Sequence, residues 1–340
     1  MKSLQGSFSI PRFYHPRVGR RASIVLLIFL ILFSVQFATR AQQRSETPPP
    51  PCAPSPFSQL IVSDGHLIRV APALEQTGTV QHQNEIPPAD DTNVVRSDVP
   101  AARKAYKIFE AEARQGRPAA MVNLAVSSLA GWGAPPNAGA ALYWLHAAAG
   151  QNFPLAFYDL GILYFEGCGV HQDYAQAFRF FEQGANLGDP ASQTNLGYLY
   201  DQGLGVPRDR LAAARWYLRA AEQGERRAQF NLADLFLRGE GVTQDDKSAF
   251  EWFQKAALQG HSEARIMLGS MYAAGRGVPR DPLAAYLWIS AASLQGDTRG
   301  NTTLLALERQ LTAAEINQAK VRADVLSHTP KLASEQALLH

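Results

Sequence analysis

The residues of this chain best suited to nucleophilic or metal chemistry are two cysteines, Cys52 and Cys168, and eight histidines. The histidines are His15, His66, His82, His146, His171, His261, His328 and His340. No two of them fall at i and i+4, so the helical spacing of a zinc site is absent. Two cysteines are too few for a four-thiolate site or a disulfide scaffold, although a Cys52–Cys168 bridge would suit an oxidising compartment. Glycine pairs such as Gly167-x-Gly169 could suggest a phosphate loop. They follow helical patterns rather than strands, and no Gly-Lys-Ser/Thr comes after them, so they read as helix-ending glycines. Asp159, Asp201 and Asp234 lie on successive helices, yet nothing makes any of them a catalytic carboxylate. No nucleophile with a base is visible. The expectation is a protein that is not an enzyme and takes no cofactor or metal.

The elements that position these residues are set by an internal period. The glycine pairs Gly131-x-Gly133, Gly167-x-Gly169, Gly203-x-Gly205, Gly239-x-Gly241 and Gly275-x-Gly277 recur every 36 residues. So do Trp144, Phe180, Trp216, Trp252 and Trp288. A second glycine series, Gly116, Gly188, Gly224, Gly260 and Gly296, has Asn152 at its missing place, and asparagine also tolerates a left-handed C-cap. Each unit reads as helix A, tight loop, helix B. In the third copy, helix A spans about Ala191 to Gln202, and helix B follows the N-cap Asp209 and ends near Gln223. Asn137, Asp173, Asp245 and Asp281 are the matching caps. Ala141, Ala177, Ala213, Ala249 and Ala285 in helix B, with Gly161, Gly197 and Gly269 in helix A, let helices approach closely. The aromatic series is expected to fill the wedge between helix pairs.

The run from Ala264 through Leu268-Gly269, Tyr272, Gly275-x-Gly277-Val278, Asp281, Ala285, Trp288, Ala291-Ala292 and Gly296 resembles the Sel-one-like repeat family, relatives of the tetratricopeptide repeat. Four copies match well, at 154–189, 190–225, 226–261 and 262–297. A first copy at 118–153 departs, with Ser128 in place of the helix A tyrosine and Pro135-Pro136 in its loop. Residues 97–116 look like helix B of a half-repeat. The resemblance implies an all-α fold, a right-handed α-solenoid of about five helix-turn-helix repeats. Some secreted members staple each repeat with a cysteine pair, and this chain lacks those pairs. The resemblance also implies that helix A lines the concave surface. Positions i, i+3 and i+7 then form a polar stripe opposite the leucine core. The candidate partner-binding residues are Asn123, Asp159, Glu166, Asn195, Tyr198, Gln202, Asn231, Asp234, Arg238 and Met267. The asparagines could hold a peptide backbone or brace the neighbouring repeat.

The flanking segments supply an address. Residues 22–39 carry no charge and are long enough to approach a bilayer's span of ~30 Å. Five basic residues and no acid precede them, which places residues 1–21 in the cytoplasm as a basic tail. Signal cleavage after Ala41 is the alternative to an anchor. Residues 40–97 form a proline-rich linker with a hairpin signal over 59–70, where Asp64-Gly65 separates β-branched runs. The array covers 98–300, and 301–340 reads as capping helices and a tail, with Thr312 and Glu315 as a capping box.

An apolar content of 46% excludes wholesale disorder, and a net charge of +2 argues against a nucleic-acid-coating protein. The function expected is a membrane-tethered scaffold that binds a peptide or protein partner outside the cytoplasm. In a bacterial source that is the inner membrane with the array in the periplasm, or a soluble periplasmic or secreted protein after cleavage. Family members imply two further readings, a regulatory partner of an envelope-sensing membrane kinase and a cell-wall or β-lactam hydrolase.

Overall fold

A computed structural model describes residues 60–63, 66–69 and 100–328. The expected membrane segment 22–39, the basic tail before it, most of the linker and Cys52 lie outside the described residues. Among the described residues, no helix is long and apolar enough to cross a membrane.

Strands β1 (Leu60–Ser63) and β2 (His66–Arg69) pair antiparallel, with Ile61 opposite Ile68 and Val62 opposite Leu67. Among the described residues, every later element is a helix. Helix α1 spans Pro100–Arg114. Five A–B pairs follow. They are α2 (Pro118–Ala130) with α3 (Ala138–Ala149), and α4 (Pro154–Glu166) with α5 (Tyr174–Asn186). Next come α6 (Pro190–Gln202) with α7 (Arg210–Glu222), and α8 (Arg226–Arg238) with α9 (Asp246–Leu258). The last pair is α10 (Ser262–Ala274) with α11 (Pro282–Leu294). Helices α12 (Asn301–Glu308) and α13 (Ala313–His328) close the array.

The two glycines of each loop have different tasks. The first ends helix A in the left-handed region, as Gly203 does at φ 73°, and its N–H reaches back to the Leu199 carbonyl. The second permits contact with the preceding repeat: a side chain at Gly205 would collide with the Tyr174 backbone at the start of α5. Gly133 stands in the same relation to Ala102 of α1, which identifies α1 as helix B of a half-repeat. Asn152, at φ 57°, is the one non-glycine among the described residues with positive φ.

The helix B caps match the sequence reading. Asn137, Asp173, Asp209, Asp245 and Asp281 each accept a backbone N–H from the first turn. Thr312 and Glu315 form the reciprocal pair of a capping box at α13. The five helix B alanines are fully buried.

The aromatic series needs correction. Trp144, Phe180, Trp216 and Trp252 are only half-buried, and Trp288 alone is enclosed. The fully buried position is the next residue, occupied by Leu145, Phe181, Tyr217, Phe253 and Ile289. It lies four residues after the small alanine, and in repeats 2, 3 and 5 it faces the helix A glycine of its own repeat: a Cβ on Gly197 would come within 2.8 Å of the Tyr217 ring. Trp216 and Trp252 sit at the solvent edge, where Arg219 lies over Trp216 at 4.6 Å and Lys255 over Trp252 at 3.8 Å.

A second series spans the repeats. Buried Gln193 and Gln229 donate to the Ala185 and Ala221 carbonyls of the preceding helix B. Arg265 takes the same place in the last repeat. Helix α13 packs along α11, and its buried stripe is Ala319, Ala323 and Leu326.

His261 caps α10, its Nδ1 accepting the Ala264 N–H at 3.2 Å while its ring stacks on Phe230 at 4.6 Å. Burial, then the charges of Arg226, Arg227 and Arg299, push its pKa down from 6.5 to about 4. The cap needs an unprotonated Nδ1, so the neutral form belongs to the fold. The unfolded chain takes up a proton first as pH falls below 6.5, and this contribution to stability, full above pH 6.5, drains away towards pH 4. Denaturant melts at pH 7 and pH 4.5 should therefore differ by about 2 kcal/mol more in the natural chain than in His261→Asn. Equal pH dependence in the two proteins would show that His261 does not titrate in this way.

Candidate partner-binding face

The leucines of helix A face inward as their period requires: Leu160, Leu163, Leu196, Leu199, Leu232 and Leu235 are all buried. The opposite stripe divides into two zones. In repeats 3 and 4 it is open. Tyr198 is 39% exposed, Gln202 and Arg238 are exposed, and Asn195, Asn231 and Asp234 are half-buried. In repeats 1 and 2 it is covered. Asp159 is fully buried, contrary to an accessible role, and Ile162 is 9% exposed. Asn123 is half-buried, and Glu166, at the helix end, is exposed. Met267 in repeat 5 is half-buried against the last core cluster.

A cavity of about 380 Å³ opens between repeats 3 and 4. Helix A supplies Tyr198, Asp201, Gln202, Asn231, Asp234, Leu235 and Arg238 to its lining. Arg208, Arg210, Tyr217 and Glu240 come from the loops and from helix B. The latter set escaped the stripe reading because it lies off the helix A period. Arg208 and Arg210 after the Gly203–Gly205 pair, and Glu240 within the next pair, were the available signal.

The charges within this cavity are already matched. Arg210 bridges Asp201 at 3.3 Å and Glu240 at 2.9 Å, tying repeat 3 to repeat 4. Arg238 pairs with Asp234 at 3.0 Å one turn away. Burial raises the Asp234 carboxyl above its usual range, and the Arg238 guanidinium opposes this. Arg208 donates to the Asp201 carbonyl and holds the loop against α6. Burial, followed by the Asp201 charge, pushes the Tyr217 hydroxyl well above the usual phenol range, and this hydroxyl bonds Asn231. Asn231 thus braces its neighbour, and Asn195 donates to the Ala191 carbonyl of its own helix. The asparagines have structural partners on at least one side. Left facing the opening are the Tyr198 ring, the paired carboxylates and Gln202, whose Nε2 donates to Asp201 at 2.9 Å and whose Oε1 is the acceptor that remains. That set offers hydrogen bonds and one flat apolar surface without a strong net charge. Among the described residues, no group of three His, Cys, Asp or Glu could hold a metal ion.

The Sel1 repeat profile matches residues 118–153, 154–189, 190–225, 226–261 and 262–297, more than half of the chain. The chain belongs to the Sel1 repeat family. A Sel1 repeat protein from Oxalobacter formigenes is 33% identical, with a TM-score of 0.56 and 60% of each chain covered. The chain therefore spans 60% of that protein's length. A protective antigen of uropathogenic Escherichia coli with an SLR fold is 22% identical, at a TM-score of 0.31 over 71% of this chain and 84% of that one. The immunity protein Pa5087 from Pseudomonas aeruginosa is 20% identical, at a TM-score of 0.39 over 70% and 82%. These last two are likenesses of fold alone. No curated protein matches the chain. Across the five Sel1 repeats the glycines, alanines and caps recur, whereas one helix A position changes character. It reads Val126, Ile162, Tyr198, Asp234 and Ser270, apolar in the covered zone and polar in the open one.

Proposed function

We propose that the chain is a membrane-tethered, non-catalytic adaptor whose repeats hold a peptide or protein segment along the open helix A face. The observation that carries this reading is the polar cavity between repeats 3 and 4. Its carboxylates are neutralised by arginines, while the Tyr198 ring, edge-on to Phe165, remains 39% exposed at the opening. Neutralised charges suit a peptide backbone better than an ion, and a stacked solenoid presents such a surface over several repeats. The tether is residues 22–39, with the N-terminus in the cytoplasm and the array on the far side. In a bacterium that is the periplasmic side of the inner membrane. A disulfide at Cys168 supports an oxidising compartment.

The test places a photo-crosslinking residue at position 198 of the full-length chain, with position 215 on the exposed side of α7 as control. A partner captured at 198 and not at 215 is then assayed against the natural chain and Tyr198→Ala/Asp234→Ala. Binding should weaken at least about tenfold, the scale of losing a central contact, with helical content unchanged. Equal affinity would move the interface off this face. Intact mass on the same sample tests the tether: a chain starting at Met1 keeps its anchor, and one starting at Gln42 does not.

A further inference from the structure

The acids and arginines that line the cavity between repeats 3 and 4 cancel in number, so what it selects depends on where each charge lies. Arg210 is spent on the bridge from Asp201 to Glu240, and the Arg208 Nε on the Asp201 carbonyl. Asp234 is held differently. Its ion-pair partner, Arg238, stands one turn further along the same helix and approaches it through Nε at 3.0 Å. The Arg238 side chain is 60% exposed and that of Asp234 25%. The guanidinium therefore lies at the rim and the carboxylate towards the floor. Such a pair is weak, because water screens it and the long side chain gives up freedom to hold it. Arg238 can swing outward at little cost, whereas the short Asp234 side chain stays where it is.

The wall beside this carboxylate is aromatic. Tyr198 holds the place of Asp234 one repeat earlier, and both line the same cavity. Its ring makes a T-shaped contact with Phe165 at 6.1 Å, and Phe165 makes another with Tyr174 at 5.4 Å. Gln172 donates to the Tyr174 hydroxyl at 3.0 Å and fixes the far end of this row. A T-shaped contact covers at most one face of the Tyr198 ring.

A carboxylate with an open π face beside it suits a cation, and a planar one best. A guanidinium forks onto the carboxylate and stacks on the ring, and an ammonium matches neither geometry as well. A ligand carboxylate would instead meet Asp201, Asp234 and Glu240 together. Those acids already crowd one another: burial, and then the charges of Glu240 and Asp201, raise the Asp234 carboxyl against the pull of Arg238. The neighbouring boundaries do not repeat the site. Ile162 is buried at the one before, and at the one after Ser270 follows Asp234 and the bridge is inverted, with Arg276 reaching Asp246 at 2.8 Å. At about 380 Å³ the cavity lies at the small end of ligand pockets, which run to about 1,000 Å³, and has room for one long side chain.

We propose that the segment held on the open helix A face is anchored there by an arginine side chain, its guanidinium paired with Asp234 in place of Arg238 and stacked on the Tyr198 ring. This rests on the adaptor reading and adds to it the chemistry of the partner.

The experiment pans a random library of acetylated, amidated heptapeptides against the full-length chain in detergent, with Tyr198→Ala/Asp234→Ala as the subtractive control. An enriched peptide is remade with its arginine replaced by lysine, and by citrulline, which keeps the shape and loses the charge. The natural chain should bind the arginine peptide at least about tenfold more tightly than the citrulline one, with lysine between them. In Asp234→Asn, which keeps the size of the side chain, the arginine and citrulline peptides should bind equally, with helical content unchanged. Asp234→Arg/Arg238→Asp keeps the pair and reverses the floor, and it should enrich peptides carrying Asp or Glu. Failure of the natural chain to enrich any peptide over the control would remove the adaptor reading and the anchor with it. Enriched peptides without arginine, citrulline or lysine forms as tight as the arginine one, or an arginine preference that survives in Asp234→Asn would overturn the anchor and leave the adaptor reading standing.

Discussion

Arg265→Met is expected to release the C-terminal end of the array, at a cost of about 3–5 kcal/mol in local stability. Arg265 is fully buried, and its partners are three backbone carbonyls rather than an acid. Its Nε donates to Ala257 at 3.1 Å, one Nη to Ala291 at 3.2 Å and the other to Leu326 at 2.8 Å. Those carbonyls lie in the last turns of α9, α11 and α13, where a helix has acceptors without internal donors and a partial negative charge. One guanidinium therefore closes three helix ends and fastens the cap to the last repeat. Burial lowers its pKa to about 10, which still leaves it charged at neutral pH. Methionine fills the volume and donates nothing. Amide exchange over 313–328 should rise by two or more orders of magnitude while 118–225 stays protected, because solenoid repeats communicate mainly with neighbours. Arg265→Gln should recover part of the loss, since Gln193 and Gln229 make the equivalent first bond in the interior repeats. Identical exchange in all three proteins would show that the cap is held by its apolar stripe alone.

Tyr217→Ala should destabilise the middle of the array by about 3–5 kcal/mol, and Trp216→Ala by about 1 kcal/mol, although tryptophan is the larger residue. The Tyr217 ring is 1% exposed and rests on the bare backbone at Gly197, so its removal leaves a cavity that no neighbour can fill. It also strips Asn231 of its partner at the edge of the proposed binding cavity. Trp216 is half-buried at the edge of the core, and its removal costs that partial packing together with the contact with Arg219. Tyr217→Phe separates the two parts, and a loss of about 1 kcal/mol would be the hydroxyl's share. Denaturant melts of the three variants check the order. A larger loss from Trp216→Ala would mean that the solvent-edge ring, and not the buried one, holds repeat 3 together.

This pair of neighbours shows where the sequence was legible and where it was not. The repeat period, the helix ends and the caps were all readable. Each depends on one residue and a backbone group within a few positions: glycine or asparagine where φ must be positive, and aspartate where a first-turn N–H lacks a partner. Positions 216 and 217 lie three and four residues after Ala213, so both project near the alanine side of the helix. The placement of the facing Gly197 selects the tyrosine. The polar stripe of helix A was also legible as a period. Its buried N-terminal half was not, because a helical period shows which residues share a face and not what packs over them.

The amino-acid order was thus enough to specify five helix pairs, their boundaries and the leucine core, because these follow from local backbone geometry and the helical period. Tertiary structure decided which aromatic residue is enclosed, how Arg210 joins Asp201 to Glu240 across a repeat boundary, and that Arg265 reaches Leu326. Each of these is a choice among several chemically acceptable partners. Only the stacking of one repeat on the next brings a particular carbonyl or carboxylate within hydrogen-bonding distance.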